Sequence, residues 1–306
     1  MIGYIVRRLL WVVVILWGVS LLTFLVAYAV PADPARLYAG PRASADVVRS
    51  IHHQMGLDRP VYVQYLDYTG HVLRGDFGYL YHLQSDVLPV ILGHFPATAQ
   101  LAVTGVIAEL LLGLPLGVLA ALHHNSWIDR LALLLSLLSI SAPTFVVGVI
   151  LLYVLGYAVP LFPLGGYGGF SNLVLPALAL GFGGAGWYAR TLRLTMLDVL
   201  GMDYVRTARA KGVQALSIAL RHVMRNALGP IVTNLGLDMA SFLGGVLVVE
   251  TVFSWPGIGL LGYEAIGYHD VPMLLGTVLF SALIIVLMNL IIDISYGFLD
   301  PRVRYE

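Results

Sequence analysis

The sequence contains no cysteine, and Asp, Glu, Lys and Arg together make up only 11% of its 306 residues. The absence of cysteine excludes disulfides, thiolate metal ligands and thiol nucleophiles. The scarcity of charge, combined with 59% hydrophobic residues, argues against a soluble globular body. The formal net charge is zero, so the composition indicates no nucleic-acid partner. It predicts a protein whose solvent is the lipid bilayer.

The motifs of common enzyme classes are also missing. The single lysine, Lys211, is followed by Gly and Val, so the chain has no Gly-x-x-x-x-Gly-Lys-Ser/Thr phosphate loop. The adjacent histidine pairs at 52–53 and 123–124 lack metalloprotease spacing. Ser141 and Ser171 lack a Gly-x-Ser-x-Gly setting. We therefore expect no catalytic residue, no metal site and no cofactor in this chain.

Long apolar segments dominate the sequence. A helix that crosses a bilayer needs roughly 20 mainly apolar residues. Six segments meet this requirement, at 9–30, 99–122, 131–157, 172–189, 228–250 and 274–298. The first has an alternative interpretation as a secretory signal that is cleaved after Ala27-Tyr28-Ala29. Its apolar region of about 22 residues exceeds the usual core of such signals, which favours a retained anchor.

The distribution of basic residues sets the orientation. Most of the 17 Lys and Arg residues lie in segments on one side of the spans, namely 1–8, 123–130, 190–227 and 299–306. Basic segments are retained in the cytoplasm, so both termini and the 190–227 loop are expected there. The 31–96 loop is then external, since long loops cross largely regardless of charge. No internal repeat is evident, and residues 1–306 are predicted to form a single all-α transmembrane domain.

The external 31–96 loop has helix-boundary signals. Ser44 is a candidate cap for a helix that ends at Gly56, and Pro60 begins a second helix that runs to about Gly75. The apolar segment 86–95 is expected to lie flat at the membrane interface. The loop therefore predicts short helices instead of a separate domain.

The cytoplasmic loop carries seven Arg or Lys residues between Arg190 and Arg225 against two acids, and its pattern predicts two short helices. On the first helix Tyr204, Ala208 and Lys211/Gly212 share a face, and Gly212 stands where the helix ends. On the second, one apolar face is formed by Leu216, Leu220, Val223 and Ala227, and the basic Arg221, His222 and Arg225 lie on another. Attraction to anionic lipid would explain the basic residues, but not the small ones. We expect a helical hairpin on which a partner docks.

At this point the residues carry a resemblance. The loop reads Tyr204-Val-Arg-Thr-Ala-Arg-Ala-Lys-Gly212, followed by Arg221-His222, Arg225-Asn226-Ala227 and Pro230. It resembles the cytoplasmic loop of the dipeptide/oligopeptide/nickel permease family of ATP-binding-cassette importers. Other short segments also resemble this family and follow one another in the same order as in the family. They are Gly56-Leu-Asp-Arg-Pro60, Gly75-Asp-Phe-Gly78, Pro96-Ala-Thr98, Ser141-Ala-Pro-Thr-Phe145, Glu250-Thr-Val-Phe-Ser-Trp-Pro-Gly257 and Asp300-Pro-Arg302.

The resemblance implies a permease with a second, similar permease, two cytoplasmic ATPases that bind ATP and magnesium, an external solute-binding protein and a peptide substrate. The coupling residues that it implies are Tyr204, Arg206, Ala208, Arg209, Lys211, Gly212, Arg221, His222 and Asn226. Arg206 and Thr207 stand where the broader superfamily has Glu and Ala, a departure that is usual in the peptide branch.

Three acids lie inside the apolar segments, where ionisable groups are costly and face protein or water. Glu109 and Asp293 are interpreted as structural, each paired with a polar group of another helix. Asp238 has two open interpretations: a structural partner, or a group that, with Asn234, lines the translocation pathway and meets the ammonium end of a peptide. Prolines 115, 143 and 176 and the nearby glycines interrupt or loosen spans two to four, either as hinges or for close helix packing.

The main alternative function is an ion- or proton-coupled secondary transporter that uses the intramembrane acids as a relay. That alternative predicts transport without an ATPase and leaves the basic hairpin unexplained. A membrane-bound enzyme ranks third. The sequence leaves the cargo open among dipeptides, longer peptides, glutathione and nickel chelates.

Overall fold

The computed structural model describes residues 2–29, 34–39, 43–54, 56–80, 85–218, 223–268 and 270–299. Almost all of its regular structure is helical. The helices are α1 (Ile2–Ala29), α2 (Pro34–Ala39), α3 (Ala45–Gln54), α4 (Val61–Val72), α5 (Val87–Leu122), α6 (Trp127–Ser141), α7 (Thr144–Leu151), α8 (Phe170–Leu200), α9 (Asp203–Ala210), α10 (Ala215–Ile218), α11 (Met224–Ala227), α12 (Gly229–Leu243), α13 (Leu247–Val252), α14 (Ile258–Gly267) and α15 (Val271–Leu299). α7 continues as a π-helix over Leu152–Ala158.

A short antiparallel pair, β1 (Tyr79–Leu80) with β2 (Ser85–Asp86), was not anticipated by the all-α prediction. In the register of this pair Tyr79 faces Asp86 and Leu80 faces Ser85. Each strand has only two residues, so the alternation that identifies a strand in a sequence has no room to appear.

The external loop contains helices near the predicted boundaries, although α4 ends at Val72 and its predicted end was about Gly75. The Ser44 hydroxyl lies 3.4 Å from the Val47 amide at the start of α3. After α3 the chain turns at Gly56 with φ +67°, and α4 begins directly after Pro60. The segment after α4 turns at Gly75 with φ +84°. Left-handed backbone at both glycines carries no Cβ penalty.

The interfacial placement of 86–95 is wrong. This segment is the first part of α5, a continuous helix of 36 residues. Val87 and Ile91 are fully buried among Ile258, Leu261 and Met273. Val87 and Ile91 of this segment therefore cover protein, whereas Leu92 is 51% exposed.

Within the part of the chain that the structure describes, four helices are long and apolar enough to cross a membrane: Val6–Val26 within α1, α5, α8, and Val271–Ile294 within α15. A fifth span is obtained if α6 and the α7–π-helix segment count as one, although these two are bent by 103°. The span predicted at 131–157 is therefore not one straight helix, and its break lies at Pro143, one of the three prolines expected to interrupt or loosen spans. Pro143 lacks an amide donor and holds Ala142 extended, at ψ 124°, which ends α6.

The other span boundaries change for local reasons. The segment predicted as the fifth span, 228–250, is not one helix: α12 has 15 residues and ends before Gly245, which adopts φ +108°. The fourth span extends to Leu200, so Arg190 and Arg193 belong to α8 and not to the loop. α5 and α8 run through Pro115 and Pro176, and Pro143 alone of the three prolines marks a break.

The chain divides into two compact units. The first comprises Met1–Thr98, Leu243–Leu247 and Pro256–Glu306. In this unit α1 packs along α15. The hydroxyls of Ser20 on α1 and Tyr65 on α4 form a hydrogen bond of 2.8 Å. The Thr98 hydroxyl accepts a 2.8 Å hydrogen bond from the amide of Ile258 at the start of α14. That bond satisfies a donor that the helix itself leaves unpaired.

The second unit comprises Ala99–Phe242 and Val248–Trp255, and in it α5 lies against α8 through small residues. A Cβ at Gly113 would lie 2.6 Å from the Ala185 carbonyl oxygen, and a Cβ at Gly117 would lie 2.6 Å from the Ala189 carbonyl oxygen. Small residues four apart allow such close backbone contact between membrane helices. The glycines of this helix pair therefore serve close packing.

Gly117→Ala should destabilise the protein by about 1 to 3 kcal/mol, because the new methyl group strikes backbone that has nowhere to move. Gly93→Ala is the matched control on the same helix, since a Cβ there meets nothing within 4 Å. Thermal unfolding of the two purified variants in detergent checks the prediction. Equal midpoints would show that the α5–α8 contact tolerates a methyl group.

Candidate coupling surface

The loop between α8 and α12 folds as a chain of short helices. α8 ends at Leu200, and α9 follows after two residues, stabilised by a 3.0 Å hydrogen bond from the Thr207 hydroxyl to the Asp203 carbonyl oxygen. Gly212 adopts φ +76° directly after α9 and turns the chain toward α10. The predicted glycine stop after the first helix is confirmed.

Four apolar residues anchor this loop in the core of the second unit. Val205 in α9, Ile218 in α10, and Val223 and Ala227 around α11 are each at most 1% exposed. They pack in one cluster with Leu192, Met196 and Val199 of α8. Burying a Val or Ile side chain contributes about 1.5 to 3 kcal/mol. The loop is therefore held to α8 as part of one packed body.

The sequence predicted two of these four anchor residues. Val223 and Ala227 were predicted on the apolar face and are buried there. Val205 and Ile218 were missed. The available signal was that Val205 is the one branched aliphatic residue among the polar residues of α9. Leu220 lies outside the described residues.

The opposite surface of the hairpin is polar and exposed. Tyr204 is 41% exposed, and Arg206, Thr207, Lys211 and Gly212 are also exposed. Arg206 lies 3.5 Å from the Asp203 carboxylate in a surface ion pair of adjacent helix turns, an arrangement worth little for stability. A side chain at Gly212 would meet nothing within 4 Å, so the turn has open space around it.

The remaining predicted coupling residues are placed only in part. Ala208 and Arg209 lie within α9 and Asn226 lies within α11 by their backbone. Arg221 and His222 fall outside the described residues. The structure therefore brings Tyr204, Arg206 and Lys211 to one exposed helix and turn.

A buried ion pair that sequence reasoning missed joins the 123–130 turn to α8. Arg193 donates to both oxygens of Asp129, with Nε 2.5 Å and Nη2 2.8 Å from the carboxylate. Asp129 is 2% exposed and also accepts a 2.9 Å hydrogen bond from the Asn125 amide. A bidentate pair of this geometry is strong and directional. Arg193 serves this contact and is not part of a solvated basic loop.

The sequence carried a signal for the helix cap beside this pair, but none for the pairing itself. Ser126 and Asp129 are spaced as a helix cap and its third residue, and the Ser126 hydroxyl lies 3.4 Å from the Asp129 amide at the start of α6. His124 lies beside both charged partners, with its Nδ1 3.2 Å from Asp129 and 3.1 Å from Arg193.

The three acids within apolar segments have different surroundings. Asp293 forms a 2.7 Å ion pair with Arg8, as its structural interpretation expects. Asp238 accepts a hydrogen bond from the hydroxyl of Tyr188, which is 1% exposed. Glu109 is 2% exposed, and its Oε2 is buried without a hydrogen-bond partner among the described residues. The polar partner that was expected for Glu109 is therefore not seen there.

The polar residues of α12 lie one turn apart. The Asn234 side chain donates a 3.0 Å hydrogen bond to the Pro230 carbonyl oxygen within its own helix. Asn234 and Asp238 are both half-buried. Their spacing of four residues gives them a common helix face.

The helices that are long and apolar enough to cross a membrane and the anchored polar hairpin agree with a membrane transport subunit, and comparison with known proteins gives its family. Residues 113–305 match the model described as "Binding-protein-dependent transport system inner membrane component". Residues 1–102 match the model of the N-terminal region of such membrane components. The chain belongs to this family and is a permease subunit of an ATP-binding-cassette importer of the inner membrane.

The most similar relatives include two proteins named "Glutathione transport system permease protein GsiC". The chain is 40% identical to that of Salmonella typhimurium and 38% identical to that of Escherichia coli K12, in both cases over 306 residues and all of both chains. The resemblance to peptide-importer permeases is thereby confirmed.

Two solved structures of the MetNI methionine ABC transporter, both titled as inward-facing conformations, share the fold. They superpose with TM-scores of 0.56 and 0.58 at 18% and 19% identity. The match covers 69% of this chain and 96% of each of those chains.

Arg193→Ala should destabilise the permease by about 3 kcal/mol, because it leaves the buried Asp129 carboxylate without its counter-charge. Arg190→Ala, on an exposed position of the same helix, is the control and should have little effect. The double variant Asp129→Asn/Arg193→Gln removes both charges and should recover much of the loss. Thermal unfolding compares the three. A loss in Arg190→Ala equal to that in Arg193→Ala would contradict this role of the ion pair.

Proposed function

We propose that the exposed surface of the α9–α10 hairpin binds a cytoplasmic ATPase and transmits its motion to the permease. The observation that carries this proposal is the division of the hairpin into a buried anchor and a polar exposed side. Val205 and Ile218 are buried against α8, whereas Tyr204, Arg206 and Lys211 face away from that core. A surface that only fixed topology or attracted lipid would need no anchor of this kind.

The anchor also suggests how force is transmitted. Residues of α9, α10 and α11 share one apolar cluster with α8, with Ala121 of α5 and with Ile231 of α12. Well-packed cores move as rigid bodies because their packing resists continuous deformation. A displacement of the hairpin therefore displaces the membrane ends of three helices together.

The complete importer, in this proposal, contains a second similar permease, two ATPases that bind ATP and magnesium, and an external solute-binding protein. This chain supplies half of the translocation pathway and hydrolyses no ATP itself. It crosses the bacterial inner membrane six times, with α6–α7 and α12–α13 as broken spans, and both termini lie in the cytoplasm. The broken spans agree with the rule that irregular backbone at membrane depth is covered by protein or lines a cavity.

The cargo that we propose is a peptide. The relatives named as glutathione permeases support this class, since the similarity extends over the whole chain. An ion-coupled transporter, the alternative from sequence, would transport without an ATPase. The membership of the chain in a binding-protein-dependent family does not favour that alternative.

We further infer that Asn234 and Asp238 face the pathway, with the Asp238 carboxylate available to a peptide ammonium group. Both residues are half-buried on one face of α12. The hydrogen bond from Tyr188 holds the Asp238 carboxylate in place, and a fixed acid recognises a cation at lower entropic cost than a mobile one. The purely structural interpretation of Asp238 predicts the same hydrogen bond, so transport has to decide between the two.

Gly212→Asp should leave membrane insertion intact and uncouple ATP hydrolysis from peptide uptake. It places bulk, an acid and a side chain at φ +76° on the turn that would meet the ATPase. ATP hydrolysis and uptake measured in the same proteoliposomes of the complete importer test this.

Gly212→Asn is the matched control for Gly212→Asp. Asn has the size of Asp without its charge and takes left-handed backbone readily, so this variant should keep more of the coupling. Normal substrate accumulation by Gly212→Asp would remove the coupling role from this turn.

Asp238→Asn should lower the uptake of cationic peptides relative to anionic ones, because it removes the negative charge that we place beside the pathway. Uptake of cationic, neutral and anionic peptides of equal length, compared within one preparation, gives the selectivity ratio. Asp293→Asn controls for the loss of an acid elsewhere, since Asp293 pairs with Arg8. An unchanged ratio in Asp238→Asn would leave this residue a structural role alone.

A further inference from the structure

Glu109, Tyr188 and Asp238 form a buried polar cluster contributed by α5, α8 and α12 in the second unit. Tyr188 donates its hydroxyl to Asp238. Glu109 lies within electrostatic range of both Asp238 and Tyr188. Among the described residues, the titratable groups that interact electrostatically with Glu109 are the Asp238 carboxyl and the Tyr188 hydroxyl.

The Glu109 carboxyl is enclosed by its neighbours. It is 2% exposed, and its Oε2 has no hydrogen-bond partner among the described residues. Gly184 of α8 is its close neighbour, and a Cβ at that position would collide with Glu109 Oε1. The carboxyl therefore occupies the space that the missing side chain of Gly184 leaves.

Two carboxylates near each other, one fully buried and one half-buried, cannot both carry a charge at a tolerable cost when neither has a counter-ion among the described residues. Asp238 has the better environment for the charge, because it is half-buried and accepts a hydrogen bond from Tyr188. Glu109 has the worse environment, because it is 2% exposed and its buried Oε2 has no donor among the described residues. The two acids are therefore not equivalent.

We propose that Glu109 is a proton-binding site in the permease core, with its carboxyl protonated at neutral pH and the neighbouring Asp238 ionised. The ligand that completes the cluster is a single proton. The unpartnered, fully buried oxygen of Glu109 is the observation that distinguishes this cluster from a solvated group of acids. The neutral carboxyl lets α5 and α8 approach without placing a second negative charge beside Asp238. This inference does not depend on the partner of the hairpin.

Infrared spectroscopy of the purified complete importer at neutral pH tests the proposal. A protonated carboxyl has a C=O stretching band that an ionised carboxylate lacks. We expect this band in the native protein and its loss in Glu109→Gln. Asp293→Asn, which removes an acid paired with Arg8, is the matched control and should keep the band.

Two results would overturn the proposal: no carboxyl band in the native protein at neutral pH, or a band that persists unchanged in Glu109→Gln. The native spectrum provides a test even without a folded variant. Stability gives a second readout, since a neutral carboxamide replaces a neutral carboxyl at similar volume. Glu109→Gln should therefore assemble with a near-native unfolding midpoint. Failure to assemble would show that the site requires a negative charge, which contradicts a protonated Glu109.

Discussion

The close contact of α5 with α8 is the constraint on which the second unit depends. Glycines at 113 and 117 bring the two backbones so near that a single Cβ would lie 2.6 Å from a carbonyl oxygen. Lipid supplies no hydrophobic force between such helices, so close packing has to hold them together. In the same helix pair, Gly184 of α8 lies next to Glu109 of α5, and Tyr188 of α8 donates a hydrogen bond to Asp238. The C-terminal part of α8 forms the core under the hairpin. Glu109, the Tyr188 donor to Asp238 and the core under the hairpin are all positioned by this one interface.

The acidic residues of this apolar chain are stabilised by different kinds of partner. Asp129 is buried and takes a bidentate guanidinium, Asp293 is partly exposed and takes a single ion pair, and Asp238 takes a phenolic hydroxyl. The partner of each acid matches how deeply that acid is buried, since the penalty for burying a charge rises as water is removed. Glu109 has no such donor among the described residues, and loss of its charge is the remaining route. The intramembrane acids are therefore chemically distinct, although a sequence shows them as equivalent exceptions within apolar segments.

The sequence predicted those features that depend on a few adjacent residues. Ser44, Gly56 and Gly212 mark helix ends in the structure because caps and left-handed turns are local. Features that depend on distant residues were missed. Pairing of Asp129 with Arg193 spans 64 positions, and the continuation of α5 through 86–95 depends on a core formed with α14 and α15. Hydropathy also gave single apolar segments where the backbone breaks at Pro143 and Gly245, since it measures apolar content and not backbone geometry. Family membership was readable earlier, because it rests on the order of many short motifs.

The position of Tyr188 connects the two ends of the proposed mechanism. Its ring belongs to the cluster that holds Val205, Ile218 and Val223 of the hairpin region, and its hydroxyl holds Asp238 of α12. A shift of the hairpin that repacks this cluster therefore moves the donor on which the Asp238 carboxylate depends. Packed interiors respond to such shifts by changing between discrete arrangements. An ATPase that acts on the exposed side of α9 would then alter the electrostatics of the pathway through one shared aromatic side chain, without a long chain of intermediate contacts.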